Sequence, residues 1–277
     1  MKMITGNTKI IIHTGFPTET FKSPMIYNPW FEKNGIDAVV VPMAVEAADY
    51  PTILRPWFKA KNVVGALVTM PHKVTTTKLV DELSITARVA GSCNAVLRRT
   101  DGSLYGDMFD GEGFTRGLKN KGQVITGKKA LVVGNGGVGS AIAASLAADG
   151  VAVLALYDGM AASSEALAAR LREHYPQIEV LTGSNDPAGY DIIVNATPMG
   201  MKAGDPLPFD IDRLSPASFV GEVVMKEEYT ALLRAALAKG CRVQVGTDML
   251  FEQIPAYLEF FGFGATTPAE LRLTAKL

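Results

Sequence analysis

Four glycines offer the first chemistry in this sequence. Gly134, Gly136, Gly137 and Gly139 follow the short apolar run Ala130–Val133 and precede the Ala/Leu-rich segment Ser140–Ala148, which stops at Asp149-Gly150. A further apolar run, Val151–Tyr157, ends on Asp158. The order is strand, glycine turn, helix, strand. Gly134, Gly136 and Gly139 fit G-x-G-x-x-G, in which the first glycine permits the turn, the second lets the backbone approach a pyrophosphate and the third lets helix and strand pack closely. The helix then points free N–H groups and its positive end at the phosphates. The bland alternative is a glycine turn made for packing alone. Asp158 stands where such units place a carboxylate on the adenosine ribose hydroxyls. A 2′-phosphate there would meet that negative charge, and no Arg or Lys occurs between Asp158 and Arg170 to receive it, so charge favours NAD over NADP. Asp158 reads equally as a cap for a helix beginning near Ser163.

A lysine is the second candidate. Gly65–Thr69 has the pattern of a strand, and Thr69-Met70-Pro71-His72-Lys73 leaves its carboxyl end, where open α/β sheets place their ligands. Lys73 there can give or take a proton if partial burial lowers its pKa. The plain alternative is a solvated lysine at the start of a helix Thr75–Leu83, and His72 reads as structural. Asp110, in the glycine-rich bend Gly106–Phe114, is either a site carboxylate or an N-cap.

The elements that must position these residues follow from the rest of the chain. At 277 residues, 48% hydrophobic and 20% charged with a formal net charge of −1, the sequence suits a soluble enzyme of two domains. It has no basic excess for nucleic acid. Cys93 and Cys241 are far apart and show no metal-ligand spacing, so neither a disulfide scaffold nor a metal site is expected. The apolar run within Met1–His13 is too short for a signal peptide, and no stretch reaches membrane-spanning length, which makes cytoplasm the default. Strands are expected at Lys9–His13, Ala38–Pro42 and Asp191–Val194. Helices are expected from a Ser23 cap with Pro24 in the first turn to Asn34-Gly35, and over Tyr50–Lys61 with an interruption at Pro56. Arg99–Ser103, centred on Asp101-Gly102, is the turn of a hairpin. Alternating strands and helices imply a second α/β unit ahead of the nucleotide-binding one.

Six motifs then fall in order: Thr69-x-Pro71-His72-Lys73, Gly91-x-x-Asn94, Gly106-x-x-x-Asp110-Gly111-x-Gly113-Phe114, the Gly134–Gly139 turn, Asn195-Ala196-Thr197-Pro198-Met199-Gly200-Met201, and Gly246-x-x-Met249-Leu250-x-x-Gln253. Together they resemble the shikimate dehydrogenase family, which includes quinate- and aminoshikimate-using relatives. The resemblance implies a two-domain α/β enzyme: residues 1–109 and 247–277 as the substrate domain, 110–246 as a Rossmann-type doubly wound domain, and the site in the cleft between them. It implies reversible NAD(P)-dependent hydride transfer on a polyol carboxylate such as shikimate, without metal, by a monomer or homodimer. Lys73 and Asp110 match the proton-transfer pair, and Ser23, Thr69, Asn94 and Gln253 match substrate-binding positions. Gly134, Asn135, Gly136, Gly137, Val138, Gly139 and Asp158 match the cofactor turn and its acid, while Asn195, Ala196, Thr197, Met201, Val223 and Gly246 match the nicotinamide side.

The departures are specific. Where the family carries a serine for the substrate carboxylate, this chain has Phe21, flanked by Thr20 and Lys22; where it has Asn-Thr before the aspartate, this chain has Met108-Phe109. A family motif D-x-x-Y-x-P-x-x-T appears as Glu222-x-x-Met225-x-Glu227-x-x-Thr230, and the Asn-Arg-Thr stretch of NADP-using members appears as Asp158-Gly159-Met160. The substrate pocket is therefore expected to be more apolar than in the housekeeping enzyme. A quinate, aminoshikimate or other hydroxy-acid dehydrogenase on the same scaffold is the alternative, and a weakly catalytic nucleotide-binding regulator a further one.

Overall fold

A computed structural model describes residues 3–277; Met1 and Lys2, part of the run weighed as a leader, lie outside the described residues. In chain order the elements are β1 Lys9–Gly15, α1 Ser23–Lys33, β2 Ala38–Ala44, α2 Tyr50–Trp57, β3 Val63–Val68, α3 Lys73–Thr76, β4 Glu82–Leu83, α4 Ile85–Ala90, β5 Ala95–Arg98, β6 Leu104–Asp107, α5 Asp110–Asn120, β7 Lys129–Val133, α6 Gly137–Ala148, β8 Val153–Tyr157, α7 Ala161–His174, β9 Glu179–Thr182, β10 Ile192–Asn195, β11 Phe219–Glu222, α8 Ala231–Ala238, β12 Arg242–Gln244, α9 Gly246–Phe260 and α10 Pro268–Thr274. They fall into two compact units, one running to Phe109 and resuming at Ile254–Leu277, the other Asp110–Gln253. The second division lies inside α9, seven residues beyond the expected 246/247 boundary.

The first unit holds a mixed six-stranded sheet in the order β2-β1-β3-β5-β6-β4. Strands β1, β2 and β3 are parallel, and β5 turns back antiparallel against β3 to begin the hairpin with β6. The chain crosses from one side of β1 to the other between β2 and β3. The carboxyl ends of β1 and β3 therefore flank a topological switch point, the place where a ligand enters an open sheet. Beneath it lies an apolar core that includes Ile12, Tyr50, Leu54, Val68 and Val96.

The second unit is an all-parallel sheet in the order β12-β11-β10-β7-β8-β9. Its strands run out in both directions from β7, the first of them in the chain, which is the Rossmann order, with the switch point between β7 and β10. The apolar strands are buried on both faces, as covering helices require, and Leu131, Ile193, Val220 and Leu233 belong to one core.

Three local expectations differ. Thr75–Leu83 is not a helix: α3 ends at Thr76, and Asp81 instead exchanges bonds with Leu104, its N–H donating to the Leu104 carbonyl at 2.8 Å and its carboxylate accepting from the Leu104 N–H at 2.7 Å. That pulls Glu82–Leu83 into the sheet as β4, beside β6. Ser23 is the first helical residue of α1, not its cap; Lys22 holds that position and makes no side-chain capping bond. Helix α2 ends at Trp57 rather than Lys61, with Pro56 in its last turn.

Candidate functional site

In the first unit Thr69, Lys73 and Phe21 meet at the β1/β3 switch point. The Thr69 N–H donates to the Thr14 carbonyl at 2.9 Å and the Phe16 N–H to the Met70 carbonyl at 3.1 Å, so the segments leaving the two strands are tied together. Gly15 is the tight spot: a Cβ there would stand 2.5 Å from the Thr69 methyl, 2.8 Å from the Met70 carbonyl oxygen and 2.8 Å from the tip of the Phe21 ring. Thr69 and Phe21 are thereby brought together, and Lys73 opens α3 four residues on. His72 bears out its structural reading. It is buried, its Nε2 is 2.9 Å from the Val45 carbonyl, and its ring stacks on Tyr50 at 3.9 Å.

Asn94 is also buried and works on the backbone: its Oδ1 accepts from the Phe109 N–H at 2.9 Å, and its own N–H donates to the Asp107 carbonyl at 3.0 Å. This fixes the turn that delivers the chain to Asp110. The Lys73 carbonyl accepts from the Cys93 N–H at 2.9 Å, so the loop bearing Asn94 is anchored to the lysine's own backbone. Ser23, at the start of α1, is half-buried.

His13 is a residue that pattern reading missed. It is buried near the end of β1 and stacks on Phe21 with ring centroids 4.0 Å apart. Burial, reinforced by the positive charge of Lys73, lowers its pKa to about 4. Its signal in the sequence, one histidine closing a β-branched strand, gains meaning only once Phe21 and Lys73 are seen beside it.

In the second unit each motif glycine can be assigned a job. Gly134 has φ +95°, and a Cβ on it would press on the Ala196–Thr197 peptide at 2.7 Å, across the β7/β10 switch point. A Cβ on Gly139 would overlap the Gly134 carbonyl, so this glycine lets α6 pack against the turn. Gly136 and Gly137 face open space, with nothing within 4 Å of an added Cβ, at the N-terminus of the twelve-residue α6. A cradle closed on its packing side and open at the helix N-terminus fits a dinucleotide pyrophosphate. Asn135 is buried and holds the turn: its N–H donates to Asp158 Oδ2 at 2.7 Å and its Oδ1 accepts from the Ser164 hydroxyl at 2.7 Å. The other oxygen of Asp158 accepts from the Met160 N–H at 2.9 Å. Asp158 thus ties the end of β8 to the glycine turn, and Met160, not Asp158, is the N-cap of α7. Val138 lies in the first turn of α6.

Asn195, Ala196, Thr197 and Val223, matched by resemblance to the nicotinamide side, lie at or just beyond the ends of β10 and β11, and Gly246 opens α9. Asn195 Oδ1 accepts from both the Thr197 N–H (3.1 Å) and the Thr197 hydroxyl (2.6 Å), while its Nδ2 donates to the Met199 carbonyl at 3.0 Å. Ala196 is fixed by its N–H to the Val133 carbonyl at 2.7 Å, and Val223 by its N–H to the Asn195 carbonyl at 3.2 Å. Met201 is exposed, as are Met199 and Met225. A Cβ on Gly246 would overlap the Val224 carbonyl, so α9 starts hard against the end of β11. Asp110 is buried at the start of α5. Gly113 lets α5 approach α9, where an added Cβ would lie 2.6 Å from the Gln253 Cβ. The Gln253 Oε1 is buried without a hydrogen-bond partner.

Glu222, named above as a motif position, has surroundings that the sequence did not show. It pairs in register with Asn195, is fully buried, and neither carboxyl oxygen forms a well-aligned hydrogen bond. Burial raises its pKa; the Thr230 hydroxyl and Asn195 amide act against that rise, and the Glu227 charge adds to it.

Among the described residues no group of three or more His, Cys, Asp or Glu could hold a metal, and no helix is long and apolar enough to cross a membrane. Both cysteines are free and buried.

A Rossmann-ordered parallel sheet with this turn at its switch point, joined to an α/β unit with a lysine at its own, defines a nicotinamide-dinucleotide dehydrogenase. Comparison with known proteins agrees. Residues 14–96 match the shikimate dehydrogenase substrate binding domain. A shikimate dehydrogenase (NADP(+)) of Rubrobacter xylanophilus is 37% identical over 254 residues, covering 90% of this chain and 89% of that protein. The solved shikimate 5-dehydrogenase of Listeria monocytogenes, in complex with shikimate and NAD, superposes with TM-score 0.91 at 29% identity over 99% of this chain and 98% of that one. The ligand-free 5-ketofructose reductase of a Gluconobacter strain does so with TM-score 0.88 at 25% identity, covering 98% of each. The chain belongs to the shikimate dehydrogenase family and is an oxidoreductase of the CH–OH class that works with a nicotinamide dinucleotide.

Proposed function

We propose that this protein catalyses reversible NAD-linked oxidation of one ring hydroxyl of a shikimate-like polyol, with Lys73 and Asp110 as the proton-transfer pair. The observation that carries the reading is the placement of Lys73 just beyond Thr69 at the β1/β3 switch point, near enough to His13 to depress its pKa. The bound dinucleotide supplies and takes back a hydride. As a ketone is reduced, negative charge develops on its oxygen, and the Lys73 ammonium stabilises that charge and donates the proton. In the oxidative direction the neutral amine removes the hydroxyl proton. Asp110 accepts a hydrogen bond from a neighbouring substrate hydroxyl. Ser23, Thr69, Asn94 and Gln253 are the substrate contacts; being uncharged, each can serve a hydroxyl as donor or acceptor.

Gly134–Gly139 and the α6 N-terminus hold the pyrophosphate. Asn195, Ala196, Thr197, Met201, Val223 and Gly246 lie toward the nicotinamide. NAD is preferred to NADP because the Asp158 carboxylate ends β8 and no cation follows before Arg170. The protein acts in the cytoplasm as a monomer or homodimer, with no nucleic-acid or membrane partner; its formal net charge of −1 brings no basic excess for nucleic acid.

The test is Lys73→Ala. Turnover of shikimate and a panel of its analogues should fall by about 10³-fold, within the usual range for a lost acid–base group, while the fluorescence-titrated Kd for NADH changes less than about twofold. Near-wild-type turnover in that variant removes Lys73 from the mechanism.

A further inference from the structure

The loop entering α1 brings Phe21 across the β1/β3 switch point, and what it meets there has no part in the proton transfer. Its ring lies flat on His13, 4.0 Å between centroids and 23° between planes, and its tip reaches Gly15 beside Thr69. We propose that the stacked Phe21–His13 pair is a specificity element for this substrate site, an aromatic platform that takes the C–H face of a polyol and selects substrates carrying no carboxylate at that end. The inference rests on the proposed Lys73 chemistry.

Three observations support it. Polyol rings present apolar C–H faces, and aromatic faces pack against such surfaces while offering a carboxylate no hydrogen-bond donor. The imidazole beneath Phe21 is no hidden cation. It is buried, its Nδ1 has no hydrogen-bond partner, and burial together with the Lys73 charge holds it neutral at pH 7. Gly15 leaves the platform no room to withdraw, because the Phe21 tip, the Thr69 methyl and the Met70 carbonyl converge on it. A carboxylate laid on this surface would shed water without gaining a partner, which disfavours its binding. Lys73 is committed to the reacting oxygen. The remaining cation of the loop is Lys22, which is exposed.

The experiment compares shikimate with its hydroxymethyl analogue, in which –CH₂OH replaces the carboxylate, using wild type and Phe21→Ser. Initial rates with NAD are paired with calorimetric titration of each compound into the NAD-loaded enzyme, so that preference is read even where turnover is slow. Wild type should favour the hydroxymethyl compound by about tenfold in kcat/KM or Kd, the scale of one lost hydrogen bond to a charged group. Phe21→Ser should shift that ratio toward shikimate by about the same factor. A wild-type enzyme that favours shikimate, whether through Lys22 or otherwise, overturns the proposal, and so does an unchanged ratio in a folded Phe21→Ser. Lys73-dependent turnover with a shikimate preference sinks the platform alone. Turnover that survives Lys73→Ala sinks the proposed mechanism instead.

Discussion

The two units solve the same topological problem with different materials. Each is an open sheet whose strand order reverses at one point, and each has candidate residues beyond a strand flanking that point, Thr69 and Lys73 after β3 in the first and Gly134–Gly139 after β7 in the second. In the second unit the work falls to the backbone: Gly134 turns with φ +95°, Gly139 packs, Gly136 and Gly137 stay open, and the α6 N–H groups face outward. In the first unit side chains do it: Thr69, Lys73, Phe21 and His13 arrive from a strand end, a short helix, a loop and another strand. A phosphate can be met by amide groups that every residue owns, so the constraint on sequence is an absence of Cβ atoms. A polyol must be met by particular side chains, and those can be exchanged without disturbing the fold.

Glycine substitutions separate space needed for packing from space kept open. Gly139→Ala places a methyl on the Gly134 carbonyl oxygen and should cost about 3 kcal/mol or more, through overpacking against backbone that cannot move aside, with loss of dinucleotide binding. Gly136→Ala meets nothing within 4 Å and starts from φ −69°, which alanine adopts. Its stability should hold or rise by about 0.5 kcal/mol, while NADH affinity falls about tenfold or more as the methyl enters the open space. Thermal melts and fluorescence titration of the pair decide it. An unaltered Kd in Gly136→Ala would show that the turn does not cradle the pyrophosphate.

The same contrast explains what could be read from sequence. The Rossmann-type unit was legible because its glycines have fixed spacing within thirty residues, and Lys73, Asp110 and the six ordered motifs led to the family. His13 was not legible: its state depends on Phe21 from the next loop and on Lys73 sixty residues away, partners that only the fold assembles. Glu222 was visible as a motif position, but its complete burial beside Asn195 is a property of β10/β11 pairing. The lost helix over Thr75–Leu83 is the reverse case, where an edge-strand pairing through Asp81 and Leu104 overrode local helix propensity.

The buried groups near the two sheets' carboxyl ends should also answer pH in opposite directions. His13 has a folded-state pKa of about 4 against 6.5 in the unfolded chain. Between those values the unfolded chain binds a proton that the native state refuses, so stability falls as pH drops from about 6.5 to about 4, by up to about 3 kcal/mol. His72, also held below its ordinary value chiefly by burial, adds to that limb. Glu222 is raised, so its native state binds the extra proton and acidification through its folded-state pKa stabilises. Urea melts across pH 4–8 should show the His13 share of the slope vanish in His13→Phe, which retains a ring on Phe21. In Glu222→Gln the acid-side stabilisation from that residue should vanish. Slopes left unchanged by both substitutions would place those groups in solvent rather than in the cores.

The smallest effect concerns cofactor choice, and it tests whether the second unit's backbone strategy needs any side chain at all. Both Asp158 oxygens already accept main-chain N–H bonds, at 2.7 Å from Asn135 and 2.9 Å from Met160, so a structural duty is assured. Each oxygen has lone pairs to spare for a ribose hydroxyl, and the negative charge remains. A 2′-phosphate brought to the same place would be repelled by roughly 1 kcal/mol or somewhat more in a partly solvated setting, or about tenfold in affinity. Asp158→Asn keeps one acceptor oxygen and removes the charge. The ratio of kcat/KM for NAD over NADP should therefore fall about tenfold, mostly through KM for NADP, with about 1–2 kcal/mol lost from the turn because the amide nitrogen cannot accept from one of the two N–H groups. If wild type favours NADP, and the substitution alters stability but not that ratio, then Asp158 serves the glycine turn alone. Discrimination between the cofactors would then have to come from a group elsewhere around the ribose.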